Sequence, residues 1–256
     1  MINKSILIEL TKRDFTERYS GSILGMLWTF IWPLVTMLVY FLVFSKIMGA
    51  KLPGRTYVHG YGVYLIAGLA PWTTFASTIT RISSLFVDKK HLITKINISL
   101  PTFPIYIVIS ETITFIITIF IYFIFLVFLD VGFHKTLLFL PFVFVSQQIF
   151  AYALGFFIAT LQVFIRDLRE VVGIVLFVWF WLNPIVYVFD ILPEYVKSYI
   201  VYNPAFWFIS AYQNIFVFHK PPNFHYLILL TILGHTILII GYLMFKQLEK
   251  DLRDFI

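Results

Sequence analysis

The side chains that could perform chemistry are few and scattered along the sequence. The chain has no cysteine, which excludes thiolate metal sites and cysteine nucleophiles. Its six histidines do not fall at ligand spacing with a carboxylate or with one another on any predicted helix. Neither Gly-x-x-x-x-Gly-Lys-Ser/Thr nor Gly-x-Gly-x-x-Gly occurs, so these routes to nucleotide binding are missing. The sequence therefore predicts no catalytic residue, no metal and no cofactor within this chain.

One carboxylate, Glu111, lies inside an apolar stretch. It falls roughly 10 Å along a helix that starts at Pro104. Placing a charged side chain near the middle of a bilayer costs about 2.5–3.5 kcal/mol on insertion scales. Two interpretations stay open. Glu111 either faces a polar cavity and contacts a substrate, or forms a structural hydrogen bond to a neighbouring helix.

The composition indicates which solvent surrounds these residues. Hydrophobic residues make up 60% of the chain and charged residues only 12%, with 30 Phe, 15 Tyr and 6 Trp. The mean hydropathy is +0.90. A soluble domain is typically about a quarter charged, because polar side chains must cover its surface. The sequence therefore predicts an all-α integral membrane protein that forms a single transmembrane domain over residues 1–256.

Six stretches with at most one charged residue each are long enough to cross about 30 Å of hydrocarbon. The predicted spans are 21–47, 58–80, 104–129, 136–165, 171–189 and 222–245. A short helix over 1–20 is predicted to lie along the membrane interface, and 246–256 form a tail. An even number of spans places both termini on one side.

The Lys and Arg residues predict which side that is. With both termini in the cytoplasm, thirteen of the nineteen basic residues are cytoplasmic, as the positive-inside rule favours. A seventh span over 198–219 would lower this number to eleven. Six spans with cytoplasmic termini are therefore favoured.

The segment 190–220 is outside in this topology, yet it is apolar and aromatic. Pro193 and the Asn203-Pro204 pair divide it into pieces shorter than the roughly 20 residues that a span needs. We expect two short re-entrant helices that gate the exit on the outer side. Irregular backbone at that depth is tolerated where it is buried in protein or lines a water-filled path.

Several motifs, taken in order, go beyond composition. They are Arg13-Asp14-Phe15, the run 18–28, Trp32-Pro33-Leu34, Leu92-Ile93-Thr94-Lys95, Pro101 with Pro104, Phe164-Ile165-Arg166-Asp167-Leu168, Asn183-Pro184 and Asn203-Pro204. Together they resemble the membrane (permease) subunit of ABC polysaccharide exporters, which export lipid-linked O-antigen, capsular polysaccharide or teichoic acid. The resemblance covers nearly the whole chain.

The resemblance implies a six-span half-transporter in the bacterial inner membrane. It forms a homodimer, binds two copies of a cytoplasmic ABC ATPase that supplies ATP and Mg, and moves a lipid-linked glycan. A coupling helix over 84–96 would contact the ATPase. The residues implied in this contact are Leu85, Phe86, Asp88, Lys89, Lys90, Leu92, Ile93 and Lys95. Asp88 suits the cap of a short helix. The alternative is an ordinary basic inner loop.

The sequence also predicts contacts for charged residues at the inner surface. Arg13, Arg18, Arg166 and Asp167 are expected to contact lipid phosphate or the ATPase, since each Lys or Arg near anionic head groups contributes about 1 kcal/mol. The alternative for Arg166-Asp167 is a solvated turn, where an ion pair contributes little.

Aromatic side chains provide the third expectation, because sugar rings present apolar C–H faces that stack on aromatic planes. The expected conduit residues are Trp28, Tyr40, Glu111, Trp179, Trp181 and Tyr187. The expected outer gate consists of Tyr195, Tyr199, Tyr202 and Trp207. Aromatic residues are also common at both membrane interfaces in any membrane protein, which is the alternative interpretation.

Other functions remain open at this point. A permease of the same superfamily for a small drug or a phospholipid would share the spans. A membrane-embedded enzyme acting on polyprenyl-linked sugars would need convergent carboxylates or histidines, and Glu111 alone meets that description. We expect membrane lipids as neighbours, and nucleic acid is not an expected partner.

Overall fold

A computed structural model describes residues 4–50, 52, 60–93 and 100–255. Within these residues every regular element is helical and none is a strand, which confirms the all-α fold class. Two expected segments lie partly outside the described residues. They are 94–96 of the coupling helix, which include Lys95, and 58–59 of the second span.

The α-helices are numbered in chain order. They are α1 (Lys4–Arg18), α2 (Trp28–Tyr40), α3 (Gly60–Ser83), α4 (Leu85–Asp88), α5 (Lys90–Ile93), α6 (Ile105–Phe128), α7 (Leu140–Gln162), α8 (Leu168–Trp181), α9 (Glu194–Ile200), α10 (Pro204–Gln213) and α11 (Phe224–Phe255). Short 3₁₀ and π-helical turns extend several of them.

Four helical stretches of the described residues are long and apolar enough to cross a membrane. They are Gly25–Ile47, Leu100–Phe128, Lys135–Gln162 and Phe224–Lys250. The first joins α2 to the turns on either side of it, and the other three contain α6, α7 and most of α11. Each overlaps one of the six spans predicted from the sequence.

The other two predicted spans are not among these four stretches. Helix α3 has 24 residues, about 36 Å, and most of its side chains are buried against other helices. Helix α8 has only 14 residues, about 21 Å, and ends at Trp181. The prediction of one continuous helix over 171–189 is wrong, because Pro184 lacks an amide donor and disfavours helical backbone before it.

Helix α3 lies at the centre of the fold, with most of its side chains buried. It packs against α7, α6 and α10. Gly155 of α7 lies against Ile82 of α3 so closely that a Cβ atom at position 155 would come within 2.8 Å of the Ile82 Cβ. Glycine at such a position permits close helix approach, as in many membrane helix pairs.

A second apolar cluster lies at one end of the bundle. It joins Leu10 of α1, Phe86 of α4, Phe156 of α7 and both Phe245 and Leu252 of α11. The first helix and the last turns of the last helix therefore lie at the same end of the molecule.

The segment between α8 and α11 contains two short helices, α9 and α10, with the break between them at residues 201–203. Asn203 caps α10, since its side-chain oxygen accepts a hydrogen bond from the Ala205 amide at 3.0 Å, and Pro204 occupies the first helical turn. Helix α10 is largely buried, whereas α9 is mostly exposed. How deep these helices lie in a bilayer stays a prediction.

Candidate functional site

Four charged side chains form a closed ring where α1, α3 and α6 meet. Arg18 donates to Asp14 at 3.2 Å and to Glu111 at 3.1 Å. Arg81 donates to Glu111 at 2.5 Å and also to Asp14. Each guanidinium group thus bridges both carboxylates, and the formal charges of the ring sum to zero.

Each member of the ring is placed by its helix. Asp14 and Arg18 are four residues apart on α1, so they share one face. Arg81 lies in the last turn of α3, where the helix dipole favours a cation, and Glu111 lies in the second turn of α6.

The ring is largely withdrawn from solvent. The side chains of Asp14 and Glu111 are 7% and 3% exposed, and those of Arg18 and Arg81 about a quarter exposed. Because a buried charge is tolerated only when it is paired and hydrogen-bonded, the four groups depend on one another. Glu111 is therefore a structural partner that also lines a cavity, and its contact with a substrate stays a prediction.

That cavity has a volume of about 530 Å³ and lies between α2, α3 and α6. Arg18 and Glu111 form one end, Trp28 and Trp32 contribute aromatic surface, and the remaining wall is rich in threonine. Concave sites of this size that combine apolar surface with a few convergent polar groups are typical of ligand pockets.

A second, smaller cavity of about 290 Å³ lies on the other side of the ring. It is lined by three ring residues, Asp14, Arg18 and Arg81, together with Asp88 and Lys89 from the segment that follows α3. The charged ring therefore separates an apolar, hydroxyl-rich cavity from a charged one.

Further ion pairs extend from the ring to the segment after α3. Glu17 of α1 pairs with Lys89 and with Arg13, and the hydrogen bond from Lys89 is the main cause that lowers the pKa of the Glu17 carboxyl below its usual value. Asp88 accepts from Arg169 of α8 at 3.3 Å. These contacts tie α1 and α8 to the expected coupling segment.

The expected coupling residues do not all lie on an outward-facing surface. Leu85 and Phe86 are buried in the chain's own core, because they pack in the cluster with Phe156 and Phe245, so they do not face outward. Asp88 is the last residue of α4 and accepts a hydrogen bond from the Ser84 hydroxyl at 2.6 Å.

The remaining coupling residues are more accessible. Lys90 is exposed, Leu92 and Ile93 are half-buried, and Lys89 is half-buried in its pair with Glu17. The outward surface of this segment also includes Val87, which sequence reasoning did not select.

The four residues expected to meet lipid phosphate or the ATPase do not converge on one site. Arg13 is exposed and paired with Glu17, whereas Arg18 forms its ion pairs within the ring. Arg166 and Asp167 are exposed in the turn that precedes α8.

The six expected conduit residues separate into different environments. Trp28 and Glu111 line the 530 Å³ cavity together. Tyr40 stacks on Phe44, and Trp181 is exposed on α8. The remaining two make specific hydrogen bonds: Trp179 donates to the Asn203 side chain at 2.7 Å, and the Tyr187 hydroxyl donates to the Trp181 carbonyl at 3.1 Å.

Three of the four expected gate residues are exposed. They are Tyr195, Tyr199 and Tyr202. Trp207 instead packs inside, because its ring stacks on Tyr226 at 3.5 Å between centroids and its indole N–H donates to the Val201 carbonyl at 2.9 Å.

Sequence reasoning missed Asp14 and Arg81 as site residues. Asp14 lay within the Arg13-Asp14-Phe15 motif, and Arg81 directly follows the uncharged run 58–80, which were the available signals. Their pairing joins positions 67 residues apart, so no local spacing reveals it.

Residues 6–217 match the family model described as ABC-2 type transporter. The chain belongs to the ABC-2 type transporter family. The matched region runs from α1 through α10 and includes the charged ring and the cavity beside it.

Curated relatives of this ABC-2 chain carry a common name. Two Klebsiella pneumoniae proteins named O-antigen export system permease protein RfbA are 30% and 29% identical to it over 247 residues, covering 95% of this chain and 92% of each relative. A Myxococcus xanthus protein of the same name is 29% identical over 226 residues, covering 86% of this chain and 83% of the relative. The ABC-2 chain is thus similar to these permeases along most of its length.

Proposed function

We propose that this chain is the permease half of an ATP-driven exporter that moves a lipid-linked, O-antigen-like polysaccharide across the cytoplasmic membrane. The observation that carries this proposal is the match to O-antigen export permeases over 95% of the chain, within the ABC-2 family. The charged ring and the cavity lie within the region shared with these relatives.

The permease has six crossings and cytoplasmic termini. Four apolar helices of sufficient length support this topology, and α3 makes another crossing inside the bundle. The remaining crossing is α8 with the irregular residues that follow it, supported by their contacts with buried α3 and α10. Because α1 and the end of α11 share one apolar cluster, an even number of crossings is favoured.

Two copies of the chain form the transporter. The faces of α2 and α8 that point away from the bundle are apolar and exposed. The exposed residues include Phe30, Trp32, Val35, Leu38 and Val39 on α2, and Ile174, Val175, Phe177, Val178 and Trp181 on α8. Such faces suit either lipid or a second protomer, and the second protomer is needed to enclose a channel.

A separate ATPase pair drives transport, with ATP and Mg bound there. The sequence lacks a phosphate-binding loop, which supports ATP binding by a separate subunit. The segment α4–α5 is the ATPase contact. Its exposed residues Val87, Lys90 and His91 face outward, and its ion pairs to α1 and α8 carry movement into the membrane domain.

Co-purification with the ATPase followed by hydrolysis assays tests this proposal. The complex in lipid nanodiscs is expected to hydrolyse ATP faster when polyprenyl-pyrophosphate-linked glycan is added. Stimulation by a small drug or a phospholipid, with no response to glycan, would instead identify a different ABC-2 permease. Turnover of polyprenyl-linked sugar by the isolated chain would point to an enzyme.

A further inference from the structure

We propose that the 530 Å³ cavity between α2, α3 and α6 is a binding site for a neutral, hydroxyl-bearing sugar ring. This inference rests on the proposed function, because the transporter's substrate brings such rings to the inner end of the protein. It goes further by assigning a position, a hydrogen-bond pattern and a sugar selectivity to the site.

The wall of this cavity is rich in hydroxyl groups that have already donated their protons. Thr36 donates to the Trp32 carbonyl, Thr73 and Thr74 to the Ala70 carbonyl, Thr114 to the Ser110 carbonyl and Thr118 to the Thr114 carbonyl, at 2.8–3.3 Å. A hydroxyl has one donor and two acceptor lone pairs, so these groups keep acceptor capacity alone. The complementary ligand is one that presents several O–H donors.

Aromatic surface lies on the same cavity. Trp28 directs its indole N–H away from the ligand space to the Ser22 hydroxyl at 2.9 Å, which leaves the ring faces for stacking. Trp32 is mostly exposed on the neighbouring turn of α2. Flat aromatic faces beside hydrogen-bonding groups suit a sugar, whose C–H face is apolar and whose rim is polar.

The charged end of the cavity favours a neutral ring over a phosphate group. Arg18 and Glu111 both reach the cavity, but they are paired within a ring of zero formal charge. Such a pair can donate to one sugar hydroxyl and accept from another. A bare lipid phosphate would have to compete with Glu111 and Asp14 for the guanidinium groups.

Equilibrium binding to the full permease–ATPase complex tests the assignment. The complex is prepared in nanodiscs from a detergent without sugar head groups, and the probe is a radiolabelled polyprenyl pyrophosphate that carries a neutral trisaccharide. The same lipid without sugar and the free trisaccharide are the comparison arms. We expect the trisaccharide-bearing lipid to bind at least tenfold more tightly than the sugar-free lipid, and the free trisaccharide to compete with it.

Two variants locate the binding. Thr114→Val keeps the shape of the side chain, removes one acceptor hydroxyl from the cavity wall and is expected to weaken binding of the trisaccharide lipid about threefold to tenfold, the usual effect of one hydrogen bond. Thr118→Phe fills the cavity and should abolish competition by the free trisaccharide, whereas Ile116→Phe on the exposed face of the same helix should not.

The outcomes separate this inference from the proposed function. If glycan stimulates ATP hydrolysis by the wild type but Thr114→Val and Thr118→Phe bind the trisaccharide lipid as well as the wild type, the site assignment is overturned and the function stands. Equal affinity for the sugar-free lipid would also overturn the assignment. If glycan neither binds to nor stimulates the wild type, the proposed function itself fails.

Discussion

Arg81 of α3 donates a hydrogen bond to Glu111 of α6 at 2.5 Å, and the same guanidinium group holds Asp14 of α1. This contact joins α3, α6 and α1 through one largely buried side chain. It explains how a carboxylate is accommodated near the beginning of an otherwise apolar helix.

Removing the charge of Glu111 should therefore destabilise the folded protein. Glu111→Gln leaves Arg18 and Arg81 facing Asp14 alone, and we expect it to destabilise the protein by about 3 kcal/mol, because breaking a buried ion pair leaves an uncompensated charge. The thermal midpoint of the purified protein measures the loss. Glu194→Gln, which breaks an exposed pair on α9, should change the midpoint little.

A second substitution should restore part of that stability. Arg81→Gln added to Glu111→Gln removes the surplus cation and leaves the Asp14–Arg18 pair, whose charges balance. We expect the double variant to melt at a higher temperature than Glu111→Gln alone. Additive losses from the two substitutions would contradict the coupled ring.

Two glycines in different surroundings should change stability in opposite directions when they are replaced by alanine. Gly155→Ala places a Cβ within 2.8 Å of the Ile82 Cβ and should destabilise the protein by about 1–3 kcal/mol through overpacking. Gly173 in α8 has open space around it, so Gly173→Ala should stabilise by about 0.4–1 kcal/mol. Thermal midpoints that move in the same direction for both variants would contradict this packing.

The contact between α1 and the coupling segment should depend on pH. Because the pKa of Glu17 is lowered in the folded protein, the Glu17–Lys89 contact contributes fully above the ordinary value of 4.5 and is lost as pH falls through the lower folded-state pKa. The chain has no cysteine, so spin labels at Thr16→Cys and Val87→Cys report the distance between the two elements. The distance distribution should be narrow at pH 7 and broaden only as pH falls through the folded-state pKa of Glu17, which lies below 4.5.

Two variants check that Glu17 is responsible. Glu17→Gln should give a broad distribution already at pH 7 and little further change in acid. Glu9→Gln, on the same helix in a more exposed pair with Lys12, should behave like the wild type. A narrow distribution for Glu17→Gln at pH 7 would show that other contacts hold α1.

The two kinds of residue in the coupling segment should give different phenotypes. Lys90 is exposed, so Lys90→Glu should reduce co-purification of the ATPase without changing the thermal midpoint. Phe86 is buried among Phe156 and Phe245, so Phe86→Ala should destabilise by about 3–5 kcal/mol. Lys220→Glu, on the segment before α11, serves as the charge-matched control and should retain the ATPase.

Much of the fold follows from patterns that a sequence displays locally. Helices α6, α7 and α11 come from long apolar runs, and the Pro193 and Asn203-Pro204 breaks predict the two short helices α9 and α10. Polarity alone does not predict the end of α8, because the uncharged run continues beyond Trp181. Pro184 interrupts the backbone without interrupting the apolar run.

The site was less predictable, because its contacts join distant parts of the chain. Arg18 and Glu111 are 93 residues apart, and Arg81 reaches Asp14 across 67 residues. The sequence identified Glu111, Arg18 and Trp28 individually but had no means of placing them together. Leu85 and Phe86 look like docking residues in sequence, and only packing against α7 and α11 shows that they are buried.

Glycan-dependent ATP hydrolysis tests the account most directly. The measurement compares the permease–ATPase complex in nanodiscs with and without polyprenyl-pyrophosphate-linked glycan, using the sugar-free lipid as the control. The account predicts that the glycan-bearing lipid raises the hydrolysis rate and that the sugar-free lipid does so much less. Equal rates under all three conditions, in a complex that retains both subunits, would contradict the assignment of this chain as a polysaccharide export permease.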